Sequence, residues 1–554
     1  MIFNNGTLIF SAAAIFIVAF ASLSSLIPDK LGKRIKIDSW WKKAGILLLI
    51  FVLLLVFSNI LGQKTGFYPS DEEWEEAYFA KQLIDPSSEA IVGRMRHGFF
   101  FPAVFVFGNT VFGKINGPAT INAFFLISAV ILTGILAAKL SGKTWPGIVA
   151  SLLLALNPAW LYGTAVFSGY PTLMSFCLSG FTLFAVLAVK EKKFIDYLGM
   201  ITFAGMAFAA KIEYGVLFAV VGIAILMGFD RKEYKKSLLV AAIALIFILV
   251  LTTTIVNMRE GDQFCGSEAQ VGLVSQKIEK AVGSSIIRPF ERIVKKIGGW
   301  RFSIAYTLDD IPRVIDYWTR KELLPISLIV ILGIFFGIFK KDKGILIATV
   351  AFMATTLVYM TDCANYVQRF AIPNITIAAA IAATTIRNIP AEIMIKRKKK
   401  KRTKVNEFDL GSIAVIIVGI MLLFYIPRAI NNLAYRRIER PTPEDMWRVL
   451  SHIPDTATIV MTSHHNEMMQ LIFLENRNIK FVSLNDMFDR IDKSDGSNIC
   501  SPEMNFCGEN SYFIYTSSCD FFEHTKKICD TVSGFGEKIV SFDKIGVSIY
   551  RMVK

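Results

Sequence analysis

The stretch AGILLLIFVLLLVFSNILG (44–62) contains no charged residue and is almost entirely aliphatic or aromatic. A hydrocarbon core of about 30 Å takes about 20 helical residues to cross, and this run has that length. Comparable runs recur along the chain, giving twelve candidate spans at 8–27, 44–62, 118–138, 146–166, 171–189, 194–210, 212–229, 237–256, 323–339, 344–360, 370–386 and 410–427. The composition agrees, with 53% hydrophobic residues, 19% charged and a mean hydropathy of +0.49. A soluble domain carries about 25% charge, so a soluble enzyme, a disordered chain and a fibrous one are all excluded. The fold class is a polytopic α-helical membrane protein.

Orientation follows from the short loops, because Lys and Arg gather on the cytoplasmic side. Basic residues fill PDKLGKRIKIDSWWKK (28–43), Lys139 with Lys143, KEKK (190–193), DRKEYKK (230–236), KKDK (340–343) and KRKKKKRTK (396–404). These are every second loop of the twelve-span scheme. Their summed charge slightly exceeds the +15 of the whole chain, which leaves the opposite side weakly acidic. Both termini are therefore expected outside. The first span has its basic flank after it, the reverse of a secretory signal, and reads as an anchor. The 396–404 tract reads as a topology determinant against anionic lipid. Its neighbours hold it at the membrane, so nucleic acid is not an expected partner.

Three long segments fall on the outer face: 63–117, 257–322 and 428–554. The last alternates apolar β-runs, ATIVMTS (457–463), IKFVSL (479–484), SYFIYTS (511–517) and GVSIYRMV (546–553), with helical stretches EDMWRVLSHI (444–453) and DFFEHTKKICDTV (520–532), as in a small α/β domain. The division is thus 1–43 as anchor and cytoplasmic loop, 44–427 as the transmembrane module, and 428–554 as an extracytoplasmic α/β domain. SQKIEKAVGSSIIRPFERIVKKIGGW (275–300) is amphipathic and expected to lie on the outer surface. Six of the seven cysteines, Cys265, Cys363, Cys500, Cys507, Cys519 and Cys529, fall on the outer side and are disulfide candidates. Cys519 and Cys529 flank one predicted helix at about 15 Å, beyond the roughly 7 Å a disulfide spans, so each is expected to bond elsewhere.

Chemistry is expected at the outer surface. GFYPSDEEWEEAYFAKQL (66–83) follows the second span, and Ser70 with Glu73 forms a capping box that starts a helix. Asp71, Glu72, Glu73, Glu75 and Glu76 crowd its first turns. Such acids suit a solvated helix start favoured by the macrodipole, and equally a general base or metal ligand at the lipid interface. Later come Arg94, Arg96 and His97 before an aromatic stretch, RMRHGFFFPAVFVFG (94–108), expected to re-enter the interface. Lys211, Glu213 and Tyr214 occupy another outer lip, and TDCANYVQRFAIPNITIAAAIAA (361–383) brings Tyr366 and Arg369 to a third. Basic groups beside an acidic site suit an anionic lipid headgroup. Interfacial snorkelling is the competing account of Lys211 and Arg369.

An acidic helix after an early span, an Arg/His stretch later in that loop, and a late Tyr-x-x-Arg-Phe-x-x-Pro before a small-residue span together resemble the GT-C fold glycosyltransferases. Those enzymes use polyprenyl-phosphate sugars, as in the protein O-mannosyltransferases and the lipid A aminoarabinose transferases. The resemblance covers 44–427 loosely. It implies transfer of a sugar from a polyprenyl (dolichyl) phosphate donor to an extracytoplasmic hydroxyl on a protein, glycan or lipid. It maps the base onto Asp71, with Glu72 beside it; EEAYFA (75–80) offers a second register through Glu75 and Glu76. Arg369, Lys211, Arg94, Arg96, His97 and Tyr366 are the candidates for the donor phosphate and lipid. The family's His-Pro-Pro survives only as His97-Gly98, and no Trp-Trp-Asp-Tyr-Gly run occurs, which sets the oligosaccharyltransferases aside. A single displacement implies inversion. No cofactor is required by this chemistry, although Asp71 and Glu72 would suit Mg²⁺ or Mn²⁺. A lipid or solute transporter is the rival; it usually shows internal repeats or midplane charges, and the span interiors here are almost uncharged. A non-catalytic membrane scaffold is the third reading.

Overall fold

A computed structural model describes residues 5–27, 40–65, 99–161, 170–229, 233–258, 314–321, 323–361, 371–400, 419–431, 448–461, 480–483, 510–516, 519, 523–543 and 546–552. Among the described residues, each of the twelve predicted spans contains helix; 162–166, 370 and 410–418 of those spans lie outside the described residues. The helices are α1 (Asn5–Ser24), α2 (Trp40–Thr65), α3 (Phe100–Ser141), α4 (Trp145–Ala155), α5 (Tyr170–Lys190), α6 (Phe194–Ala210), α7 (Leu217–Gly228), α8 (Tyr234–Met258), α9 (Leu324–Lys340), α10 (Lys343–Thr361), α11 (Ile375–Lys400) and α12 (Gly419–Asn431). By length and apolarity alone, four of them suffice to cross a bilayer: Lys43–Leu61, Ala119–Ser141, Pro171–Lys190 and Tyr234–Thr252.

Hydrophobicity on all faces, rather than amphipathicity, dictates the arrangement. α5 is buried throughout and forms the centre, packed on α3 and α6, with Phe184 and Phe203 stacked at 5.7 Å. α2 and α8 turn Leu49, Leu53, Phe57, Leu238 and Leu249 outward, where lipid covers them. The small residues of Ile377–Ala383 are fully buried and let α11 approach α3, α4 and α9 closely.

Three details depart from the sequence expectation. First, α11 runs through Lys400, so the basic tract begins as helix rather than loop. Second, α4 stops at Ala155, with a short helical turn over 158–161. Third, α3 is broken at Gly113, whose φ of 81° and ψ of 158° are non-helical and open mainly to glycine. Residues 100–112 fold back along 117–125. A Cβ at Gly117 would sit 2.5 Å from the Gly108 carbonyl carbon, and one at Gly108 would sit 2.6 Å from Ile121 Cγ1. Thr120 pins this hairpin to α2 by donating to Asn59 Oδ1 at 3.0 Å. The aromatic stretch therefore does re-enter, as a buried helix carrying Phe99, Phe100, Phe101 and Phe105. Gly117→Ala is expected to force the hairpin apart and cost about 1–3 kcal/mol, the usual range for overpacking. Gly222→Ala in α7, where a Cβ meets nothing within 4 Å, is the matched control. Thermal unfolding in detergent decides this, and equal midpoints for the two variants would refute the close contact.

The loops at one end of the bundle are joined. Lys139 meets Glu191 at 3.0 Å, Lys193 meets Glu191 at 2.6 Å, and Lys190 meets Asp342 at 3.8 Å. Lys236 donates to the Lys192 carbonyl and Lys343 to the Met227 carbonyl at 3.2 Å. The Lys193 ammonium, with Lys139 beside it, holds the Glu191 carboxyl below the ordinary carboxylate range. Four basic loops that alternate in the sequence thus converge on one end, called here the basic end.

Beyond α12, the chain builds a five-stranded sheet of order β2-β1-β3-β5-β4. Its strands are β1 (Thr458–Met461), β2 (Lys480–Ser483), β3 (Ser511–Tyr515), β4 (Gly536–Phe542) and β5 (Val547–Met552). β1 pairs parallel with β2 and β3, and β3–β5 and β5–β4 are antiparallel. The four apolar β-runs fall on β1, β2, β3 and β5. β4 escaped notice because GEKIVSF is an exposed edge strand without an apolar run. α13 (Glu523–Gly534) crosses between β3 and β4. Here the cysteine expectation is overturned: Cys519 and Cys529 are bonded to each other, with Cα atoms 5.9 Å apart. The 15 Å estimate assumed a helix containing both residues. The described helix is Glu523–Gly534, and Cys519 lies outside it, on the turn after β3, where its N–H donates to the Thr516 carbonyl at 2.9 Å. Cys265, Cys363, Cys500, Cys507, segment 275–300 and residues 444–447 lie outside the described residues.

Candidate functional site

The end opposite the basic one collects polar groups inside an apolar bundle. Several sit where a helix starts or stops, where backbone groups left unpaired need polar company, and they meet Asn122 and Thr356 within neighbouring helices. At the start of α5, the Thr172 hydroxyl donates to Asn122 Oδ1 of α3 at 3.4 Å, and Ser175 accepts from Trp160 Nε1 at 3.3 Å. Asn157, fully buried after α4, accepts from the Trp160 backbone N–H at 3.0 Å. A 3-10 turn, Ile372–Asn374, opens α11, and Asn374 donates to Thr356 Oγ1 of α10 at 3.1 Å.

Lys211 belongs to this end. The chain leaves α6 in an extended conformation at Lys211 (φ −151°, ψ 120°), and a 3-10 turn, Ile212–Val216, leads into α7. That turn packs against α6 and α10. Lys211 is 5% exposed and Tyr214 fully buried, so Lys211 does not snorkel to water. Lys211 is thus held within the protein beneath the polar end rather than at the surface.

Beside this end lies a cavity of about 440 Å³ between α1, α2 and the hairpin of α3, lined by Ile9, Phe16, Leu55, Phe100, Phe107 and Phe124 among others. Among the described residues its one polar lining side chain is Thr110, whose hydroxyl donates to the Val106 carbonyl at 2.8 Å. A site with no polar partner to offer does not hold water and suits hydrocarbon.

Of the residues singled out in the sequence as site or disulfide candidates, the structure describes Lys211, Tyr214, Cys519 and Cys529, and it places Glu213 in the 3-10 turn after Lys211. Asp71, Glu72, Glu75, Glu76, Arg94, Arg96, His97, Tyr366 and Arg369 lie outside the described residues, as therefore do the metal candidates. Among the described residues, no three His, Cys, Asp or Glu side chains converge. The buried layer of Asn122, Asn157 and Asn374 was missed; its signal was asparagine at the edges of apolar runs, as in LNPAW (156–160) and IPNIT (372–376).

Comparison with solved structures places this architecture. ArnT from Cupriavidus metallidurans in the apo state matches with a TM-score of 0.51 and 11% identity, over 92% of this chain and 98% of that one. The same protein bound to undecaprenyl phosphate gives 0.53 and 10%, over 91% and 97%. The chain has the ArnT fold. The GT-C resemblance read from the sequence is thereby borne out at the level of architecture. ArnT matches over nearly its whole length, so the overlap is not confined to one bundle of helices. In sequence, residues 96–255 match the family described as dolichyl-phosphate-mannose-protein mannosyltransferase. That stretch runs from Arg96 through the hairpin of α3, α5, Lys211 and α7 into α8. No curated protein matches the chain in a sequence comparison.

Proposed function

We propose that the chain is an integral membrane glycosyltransferase that moves a sugar from a polyprenyl phosphate donor to an extracytoplasmic hydroxyl, with inversion. The fold shared with undecaprenyl-phosphate-bound ArnT over 91% of the chain carries this reading. The match of residues 96–255 to a mannosyltransferase family points the same way.

In this reading the lipid chain of the donor lies in the apolar cavity and its phosphate meets Lys211 and Arg369, with Arg94, Arg96, His97 and Tyr366 nearby. Asp71, supported by Glu72, takes the proton of the acceptor hydroxyl as that oxygen attacks the anomeric carbon. The bond from that carbon to the phosphate oxygen breaks, and the fixed cations stabilise the charge on the departing lipid phosphate. The basic end is cytoplasmic, and the polar end and the sheet are extracytoplasmic. The convergence of basic loops and the Cys519–Cys529 bond support that sidedness.

The test is purified protein with synthetic undecaprenyl-phosphate sugars and a panel of hydroxyl acceptors. Release of undecaprenyl phosphate in step with sugar transfer, with the anomeric configuration inverted, is the expected result. Donor crossing the bilayer of proteoliposomes without any sugar transfer would replace this reading with transport.

A further inference from the structure

The first helix, read from the sequence as an anchor, is also a wall of the apolar cavity. α1 packs on α6 and turns Ile9, Ala12, Ala13 and Phe16 into the cavity, and the hairpin helix supplies Phe100 and Ala103. Ala12 and Ala103 are both buried, so their short side chains leave space that longer ones would fill. Folded interiors hold few voids larger than a water molecule, because the walls of an empty one forfeit their dispersion contacts. Three of the lining residues, Ile17, Phe107 and Val111, are also 66%, 44% and 54% exposed, so the cavity opens toward the bilayer. Its walls are stiff. Phe16 of α1 meets Phe51 of α2 edge-on at 5.6 Å, Phe51 meets Phe124 of α3 at 5.1 Å, and Phe124 meets Phe125 at 5.6 Å. Each ring is clamped by the next, and among the described residues the lining holds no methionine, the side chain that lets a site remodel around varied ligands.

A stiff apolar cavity selects by shape, and two kinds of hydrocarbon compete for it in a membrane. The linear acyl chain of a phospholipid loses torsional freedom at every bond when it takes one fixed path. A polyisoprenoid carries a flat double bond and a methyl branch in every repeat unit. It has fewer torsions to lose, needs the wider bore that the alanines leave, and offers planar faces to the rings. Resting on the glycosyl-transfer reading above, we propose that this cavity selects an unsaturated isoprenoid chain against the linear chains around it. Ala103 and Ala13 set its bore and Phe51 fixes its shape, so that α1 belongs to the donor site and is more than an anchor.

The experiment measures binding of three phosphates to the protein in phosphatidylcholine proteoliposomes: undecaprenyl phosphate, its fully hydrogenated form, and a linear alkyl phosphate of equal carbon number. The parent should bind undecaprenyl phosphate about 10-fold more tightly than the linear chain, the scale of a few torsions left unfrozen. Ala103→Leu extends a side chain into the cavity. It should weaken undecaprenyl phosphate about 10- to 50-fold, the effect of evicting about two or three chain carbons, and unfold at or above the parent temperature because it fills a void. Ala13→Leu repeats the test from α1 at an exposed position, where overpacking does not threaten the fold. Phe51→Leu loosens the wall, and should erase the preference for the unsaturated over the hydrogenated chain. A parent that binds all three alike, or variants that keep the parent's preference, would overturn the selection and leave bulk lipid as the occupant. Sugar transfer absent from every polyprenyl donor, with the binding preference intact, would instead overturn the glycosyl-transfer reading and leave an isoprenoid-binding site.

Discussion

Asp71→Asn is expected to lower sugar transfer by about 10²- to 10⁴-fold, the usual contribution of a general base. The substitution keeps size and most hydrogen bonding but removes basicity, so folding and donor binding should survive while turnover does not. The pH profile separates this from a structural effect, because a lost base removes the acidic limb of kcat/KM. Glu75→Gln and Glu76→Gln discriminate the two registers of GFYPSDEEWEEAYFAKQL (66–83). If Asp71→Asn keeps near-normal turnover while either of these collapses, the base sits one helical turn later. Full activity in all three removes the first-loop base.

Lys211→Met carries the second large effect. The side chain is 5% exposed, and the methionine keeps its apolar stem while deleting its charge. Removing one partner of a buried charged pair costs about 2–5 kcal/mol, which corresponds to a loss in donor affinity of roughly 30-fold or more. The loss should appear in KM for the polyprenyl phosphate donor and be partly restored by Lys211→Arg, which retains charge but changes its geometry. Titration with undecaprenyl phosphate alone reads the same contact without catalysis. Unchanged affinity in Lys211→Met would assign the lysine a purely architectural role.

Much of the architecture was legible because a membrane imposes one dominant rule, a run of apolar residues long enough to span it. α5 and α6 were bounded to within a residue or two for that reason. The re-entrant hairpin was half legible: FFFPAVFVFG (99–108) announced an aromatic segment, but the fold-back depends on Gly113 and on Gly108 meeting Gly117. Glycine reports freedom, not direction. The cysteine pairing failed because a ten-residue spacing was converted into a distance along one continuous helix axis, whereas the described helix is Glu523–Gly534 and does not hold Cys519. At the polar end, Lys211 was visible as a cation between two apolar runs. The Asn122–Thr172 contact was not, since the two are 50 positions apart and meet only once α3 packs on α5.

The ionic ties at the basic end also govern how the bundle can move. Rods fastened at one base cannot translate freely; they tilt, and the displacement at each free tip grows with distance from the fastening. α3, α5, α7, α8 and α10 are linked at that base through Lys139, Lys190, Lys236 and Lys343. Under the proposed function, entry of a long prenyl tail from the side would be accommodated by splaying at the opposite tips, around the apolar cavity of α1–α3, with little strain transmitted below. Because the fastening consists of half-exposed charges, its stiffness is set by ionic strength, and salt loosens the pivot before it touches the apolar contacts above.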